Sequence, residues 1–229
     1  SPYFGAVTVS QGAKLVEINA LSLYGSSYGL IVTKNSQATA TGVNASAGLY
    51  AVLSLDNAVL NITSSTIHDS QIGLLASRNG VISVSGSTIS NNNTGGLVSL
   101  GGMMNVFTTA PSGLPTTPVN FDGNVFGLNT TMEGKLAVTS ATISNGTFGV
   151  LLSSTGFARI DSSSITNMSF AGVSVQKAAS AFFNNGNYFA NNASGVSCVP
   201  GSNYVVTGVP GSLPGTFVSN GVDNNGCTP

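Results

Sequence analysis

Gly followed by an apolar residue recurs along this chain at Gly5, Gly29, Gly48, Gly73, Gly96, Gly127, Gly149, Gly172 and Gly195. Most intervals run from 22 to 25 residues, with one of 19 and one of 31. A period in the twenties marks a solenoid, in which each unit buries its apolar side only against its neighbours. The pattern inside each unit has period two: Leu60 and Ile62, Ile82 and Val84, Leu136 and Val138, and Ala158 and Ile160 alternate with small polar residues. Such alternation reads as short strands with one face inward, not helices. A third inward residue follows in each unit, at Ile67, Ile89, Ile143 and Ile165.

A Gly or Ala stands seven residues after the leading Gly at Gly12, Gly80, Gly134, Gly156 and Ala179, where a tight turn or a crowded backbone is expected. Each unit then closes on Asn-rich turns such as Asn91-Asn92-Asn93, Asn145-Gly146, Asn167 and Asn191-Asn192, and Asn tolerates the left-handed conformation. Gly-aliphatic, Gly-x-aliphatic-x-aliphatic and Ser-Thr-Ile-Ser-Asn-Asn together resemble the right-handed parallel β-helix repeats of the pectin-lyase-like superfamily, over about residues 5 to 195. The resemblance implies an all-β, single-stranded right-handed parallel β-helix of about nine coils, on the order of 40 Å long. Leucine-rich repeats lack this spacing, and propeller blades are longer.

The expected inward columns are Leu60, Ile82, Leu136, Ala158 and Ala181; then Ile62, Val84, Val138, Ile160 and Phe183; then Ile67, Ile89, Ile143, Ile165 and Phe189. The long interval between Gly96 and Gly127 predicts a loop leaving the column at about 103–118, rich in Pro. Residues 1–197 are therefore read as the β-helix, and 198–229 as an irregular C-terminal tail pinned by a disulfide between Cys198 and Cys227. Such a bond points to an oxidising, secreted setting. The chain opens on Ser1-Pro2-Tyr3, as expected of a processed or truncated form. With four residues before Gly5, the first coil is expected to be open, which invites a cap or another protomer.

Charge narrows the function classes. The chain carries 6 Lys and Arg against 7 Asp and Glu, a net charge of −1, while Gly, Ser, Thr and Asn make nearly half of it. This is no footprint for nucleic acid, whose affinity rests on phosphate neutralisation. No apolar run approaches the roughly 20 residues that cross a bilayer, so no membrane insertion is expected.

In the superfamily resembled, enzymes that cleave uronic-acid polysaccharides hold acids and Arg or Lys on the outer face of the column. The outward positions here run Asn61, Ser83, Ala137, Arg159, Phe182 and Asn19, Thr63, Ser85, Thr139, Asp161, Asn184. Arg159 and Asp161 share a strand face, ready either to meet a substrate carboxylate or to pair with each other. Glycoside hydrolysis needs two carboxylates roughly 5 to 9.5 Å apart, and the repeat register places no second acid beside them. The Asn-Thr-Asp, Asp-Asp, Gly-His-Gly and Arg-Ile-Lys set of the polygalacturonases is absent, as is a clustered-Asp calcium site. His68-Asp69 puts an imidazole beside a carboxylate, but neighbours on an extended chain point oppositely. A single His with scattered acids assembles no metal site, and no cofactor motif is present.

Candidate glycan contacts are Tyr24, Tyr28 and Phe107. Sequons stand at Asn44, Asn61, Asn92, Asn129, Asn145, Asn167 and Asn192, of which the turn residues Asn92, Asn145, Asn167 and Asn192 are the expected exposed ones. The mixed outward columns do not match a regular Thr-x-Thr ice-binding face. The sequence thus reads as a non-catalytic, secreted or cell-surface module, structural or adhesive, whose partner is an extracellular glycan or itself, end to end or laterally. The alternatives are a polysaccharide lyase or glycoside hydrolase, and a phage or virion fibre segment.

Overall fold

The structure, a computed structural model, describes residues 6–25, 27–108, 117–184, 186–199, 202–206, 216–218, 220 and 222–225. These residues wind into three parallel sheets of ten, nine and nine strands and form no helix. Sheet A starts with Val7–Val9 and Tyr28–Val32, sheet B with Val16–Asn19 and Gln37–Thr41, sheet C with Ser22–Tyr24 and Asn44–Ser46. Each strand pairs with its equivalents one turn before and one turn after, so eight turns are complete between Val7 and Ala190.

The alternation in the sequence sets the register. Leu60 pairs with Ile82, and the column continues through Met104, Leu136, Ala158 and Ala181. Its neighbour runs from Ile62 through Val84, Val106, Val138 and Ile160 to Phe183, and the column in sheet C from Ile67 through Ile89, Phe121, Ile143 and Ile165 to Phe189. All of these are buried in one continuous core. Burying each Ile, Leu or Phe contributes about 1.5–3 kcal/mol.

Three expectations are corrected. Met103–Val106 is not loop but a strand of sheet B, with Met104 and Val106 in the core. Thr108 still lies against the column, its Oγ1 donating to the Ser140 carbonyl at 3.1 Å; residues 109–116 of the expected loop lie outside the described residues. The tail is not irregular throughout, because Asn203–Val206, Thr216–Val218 and Val222–Asn225 extend sheets B, C and A. Cys227, and with it the expected disulfide, lies outside the described residues. Thirdly, the residues aligned beside each other in sheet A are Gly29, Ala51, Gly73, Gly95, Gly127, Gly149, Gly172 and Gly195, so Gly48 and Gly96 do not belong to that column. The column exists because a side chain would collide: a Cβ on Gly149 would stand 2.5 Å from the Gly172 carbonyl oxygen and 2.5 Å from Ile165 Cγ2.

The corners satisfy buried backbone donors with stacked side chains. Between sheets B and C, Val43 N donates to Ser65 Oγ and Ser65 N to Ser87 Oγ, both at 3.1 Å. Between sheets C and A, Ser70 N donates to Asn92 Oδ1 at 3.0 Å and Asn92 N to Asn124 Oδ1 at 2.9 Å, and Met168 N repeats the bond with Asn192 Oδ1 at 2.9 Å. The corner between sheets A and B is a pair of left-handed residues, such as Asp56 and Asn57 or Arg78 and Asn79.

Candidate functional site

Inward residues are spent on the core, so chemistry must sit on the outer faces. The three faces differ. Sheet A carries no charged residue in any strand from Val7–Val9 to Ser194–Cys198. Sheet C presents mainly Ser, Thr and Asn, with His68 and Asp122 among them. Sheet B gathers charge and aromatics toward its later turns.

On sheet B the register aligns Met103, Lys135, Phe157 and Ser180 in one outward row, Asn105, Ala137, Arg159 and Phe182 in the next, and Thr139 with Asp161 in a third. Lys135 and Arg159 therefore lie one strand and two residues apart, about 8 Å between Cα atoms. Both are exposed, Phe157 is 42% exposed, and Phe182 is half-buried beside Arg159. Arg159 and Asp161 do not pair. Asp161 is held instead by Asn184 Nδ2, which donates to Oδ2 at 3.0 Å, and by Ser162 Oγ, which donates to Oδ1 at 3.1 Å. Among the described residues Arg78 forms an ion pair with Asp56, and the other carboxylate contact with a basic side chain is that of Asp69 with His68, so Lys135 and Arg159 have no carboxylate partner. Lys135 and the two Phe are not among the residues expected to act at this site. The signal was the repeat itself: Lys135 stands 22 residues before Phe157, which is two residues from Arg159 on the same outward side.

The nearest comparison for a second acid on this face is Glu17, whose row continues through Thr39 and Asn61. Six strand spacings separate its turn from that of Asp161, about 29 Å. That is far beyond the roughly 5 to 9.5 Å of a glycosidase pair. Among the described residues no three His, Cys, Asp or Glu approach closely enough to hold a metal ion.

His68 corrects the expectation that it and Asp69 point apart. Asp69 takes a φ of 51°, which bends the chain so that its Oδ2 reaches His68 Nδ1 at 2.7 Å. His68 Nε2 lies 2.9 Å from Asn44 Oδ1, and Asn44 Nδ2 donates to the Tyr24 hydroxyl at 2.6 Å. Both ring nitrogens face partners within the protein, and the chain Tyr24, Asn44, His68, Asp69 ties three turns together.

The remaining candidates divide by exposure. Tyr28 is stacked on Tyr50, centroids 5.6 Å apart and planes 9° from parallel, so one face of its ring is taken. Tyr24 is 57% exposed, and Phe107 is half-buried where it continues sheet B, its N donating to the Val84 carbonyl. Asn92 and Asn192, expected in the open, are each 2% exposed because their amides form the inner ladder. Asn61, Asn145 and Asn167 are exposed, while Asn44 and Asn129 are half-buried.

No family model matches this sequence, and no curated protein does. Among solved structures, the A-module of the mannuronan C-5 epimerase AlgE4 from Azotobacter vinelandii superposes with a TM-score of 0.64 at 10% identity, over 96% of this chain and 76% of that one. This chain is a parallel β-helix. At such identity the likeness is one of fold, and the neighbour's reaction is not carried with it.

Proposed function

We propose that this chain is a non-catalytic extracellular module that binds a carboxylated polysaccharide along the outer face of sheet B. The observation that supports it is the pair Lys135 and Arg159, two exposed cations without carboxylate partners, flanked by Phe157 and Phe182. Uronic-acid chains offer a carboxylate on each residue and apolar C–H faces, which suit cations set beside aromatic rings. Asn, Ser and Thr in the same rows supply neutral hydrogen bonds to hydroxyls. The neighbouring fold belongs to a protein named for mannuronan, itself a polyuronate, which favours this ligand class. In this setting Cys198 and Cys227 are expected to be joined.

Affinity electrophoresis on gels containing polyuronate, beside gels of a neutral glucan, tests the reading. Retardation is expected on the polyuronate alone, weakening as salt rises from about 0.05 to about 0.5 M because exposed charges are screened. Arg159→Ala and Lys135→Ala should each weaken binding by about tenfold. Equal retardation on both gels, or none, defeats the proposal.

The same neighbour favours a second reading, catalysis on a polyuronate, with Asp161 moving a proton and Arg159 neutralising the sugar carboxylate. Prolonged incubation followed by NMR of the polymer separates the two. Released ends, unsaturated residues or inverted centres that vanish in Asp161→Asn would favour the enzyme.

A further inference from the structure

The inner ladder at the corner between sheets C and A is interrupted between Asn124 and Met168. On one side Ala47 N donates to Ser70 Oγ at 3.0 Å, and the bonds of Ser70 N and Asn92 N follow. On the other, Met168 N donates to Asn192 Oδ1 and Asn192 N to Asn220 Oδ1, both at 2.9 Å. The two positions between are Gly146 and Met168 itself, neither of which carries an amide or hydroxyl on its side chain. Asn124 N and Gly146 N therefore have no acceptor among the described residues. Gly146 follows Asn145, which is exposed and left-handed, with a φ of 59°. Asn79-Gly80 makes the comparison: Asn79 is equally exposed with the same φ of 59°, but Gly80 N donates to the Ser77 carbonyl at 2.9 Å. A gap in the ladder thus leaves one exposed Asn-Gly pair with its main-chain nitrogen unbound.

We propose that Asn145 is a self-modification site, where water converts the side-chain amide to a carboxylate through a cyclic imide. Gly146 N gives its proton to hydroxide and attacks Asn145 Cγ. The N–Cγ bond forms, the Cγ–Nδ2 bond breaks, and Nδ2 takes a proton from water and leaves as ammonia. A second water opens the imide at either carbonyl, leaving aspartate or isoaspartate. Glycine has no side chain to hinder the ring closure. Its N–H gives up no hydrogen bond, whereas that of Gly80 must break one first. Asn167 Nδ2 donates to Asn145 Oδ1 at 3.0 Å and polarises the carbonyl under attack. The leaving nitrogen donates to Asp122 Oδ1 at 2.7 Å, beside a carboxylate that relays a proton to it. Both contacts are exposed, so water competes for them and the side chain turns onto Gly146 N. The product sets a second carboxylate against Asp122, turning an attraction into a repulsion. Isoaspartate also lengthens the main chain by one carbon where there is no room, since even a Cβ on Gly146 would overlap the Asn124 carbonyl oxygen.

Incubation of the folded full chain at mildly alkaline pH, then trypsin and mass spectrometry, tests this. Cleavage after Arg78, Lys135 and Arg159 puts the two Asn-Gly pairs on separate peptides, one from Asn79 to Lys135 and one from Leu136 to Arg159. Acid is expected to appear at Asn145 at least about tenfold faster than at Asn79, the ratio one hydrogen bond supports. In urea, where neither glycine amide is bound, the two rates should converge. Met168→Asn offers Gly146 N the acceptor that Asn192 gives Met168 N, and should slow Asn145 to the rate of Asn79. Circular dichroism checks that this variant is folded, and if it is not, the wild-type comparison of Asn79 with Asn145 decides alone. Equal rates at the two sites in the folded chain, or an Asn145 that reacts only in urea, overturn the proposal. So does a folded Met168→Asn chain that reacts as fast as the wild type. None of these outcomes touches polyuronate binding, which is read from sheet B.

Discussion

At the scale of single residues, asparagines of similar appearance do opposite work. Asn124 is buried: its Oδ1 accepts from Asn92 N at 2.9 Å and its Nδ2 donates to the Ile89 carbonyl at 2.8 Å. Asn145 is exposed, and its Nδ2 donates to Asp122 Oδ1 at 2.7 Å while its Oδ1 accepts from Asn167 Nδ2 at 3.0 Å. Asn124→Ala strands a buried donor and a buried acceptor and is expected to cost about 2–4 kcal/mol. Asn145→Gly keeps the left-handed φ of 59° and lets water replace the lost bonds, so it is expected to cost less than about 1 kcal/mol. Urea unfolding of the two variants checks the contrast. His68 is half-buried on the face of sheet C, away from Lys135 and Arg159. His68→Ala should leave retardation on polyuronate gels as in the wild type, and a loss of binding would relocate the site to sheet C.

At the scale of strands and turns, the glycine column and the extra strand of the long turn are the most informative elements. Gly149→Ala puts a methyl within 2.5 Å of a backbone carbonyl and of Ile165, neither of which moves without opening the pairing of two turns. The expected loss is about 1–3 kcal/mol. Met104 tests the other element. As a loop residue it would tolerate truncation, but within the column between Ile82 and Leu136 it is fully buried. Met104→Ala is expected to cost about 2–5 kcal/mol in urea unfolding, and a change under about 0.5 kcal/mol would return Met103–Val106 to the loop. The strand escaped the sequence reading because Pro-rich residues follow it closely and Met-Met-Asn-Val lacks the Ile and Leu of its neighbours.

At the scale of the whole molecule, each turn contacts chiefly the turns before and after it, so stability is a chain of local interfaces. Amide hydrogen exchange should therefore be slowest in strands of the middle turns, such as Ile82–Val84 and Leu136–Val138, and quicken toward both ends. Uniform protection from Val7 to Cys198 would contradict this. The sequence by itself determined the solenoid, its three strands per turn and, outside the long turn, the inward columns of sheets B and C, since a two-residue period fixes which residues of a strand share a face. Only the tertiary structure decided what lies between turns. Whether Asn92 faces in or out, whether Arg159 pairs with Asp161, that Gly95 rather than Gly96 lies against its neighbours, and that sheet A is apolar on both sides each depend on residues 22 to 32 positions away. Local pattern records which residues alternate, but the spacing between turns and the bend at each corner place their side chains.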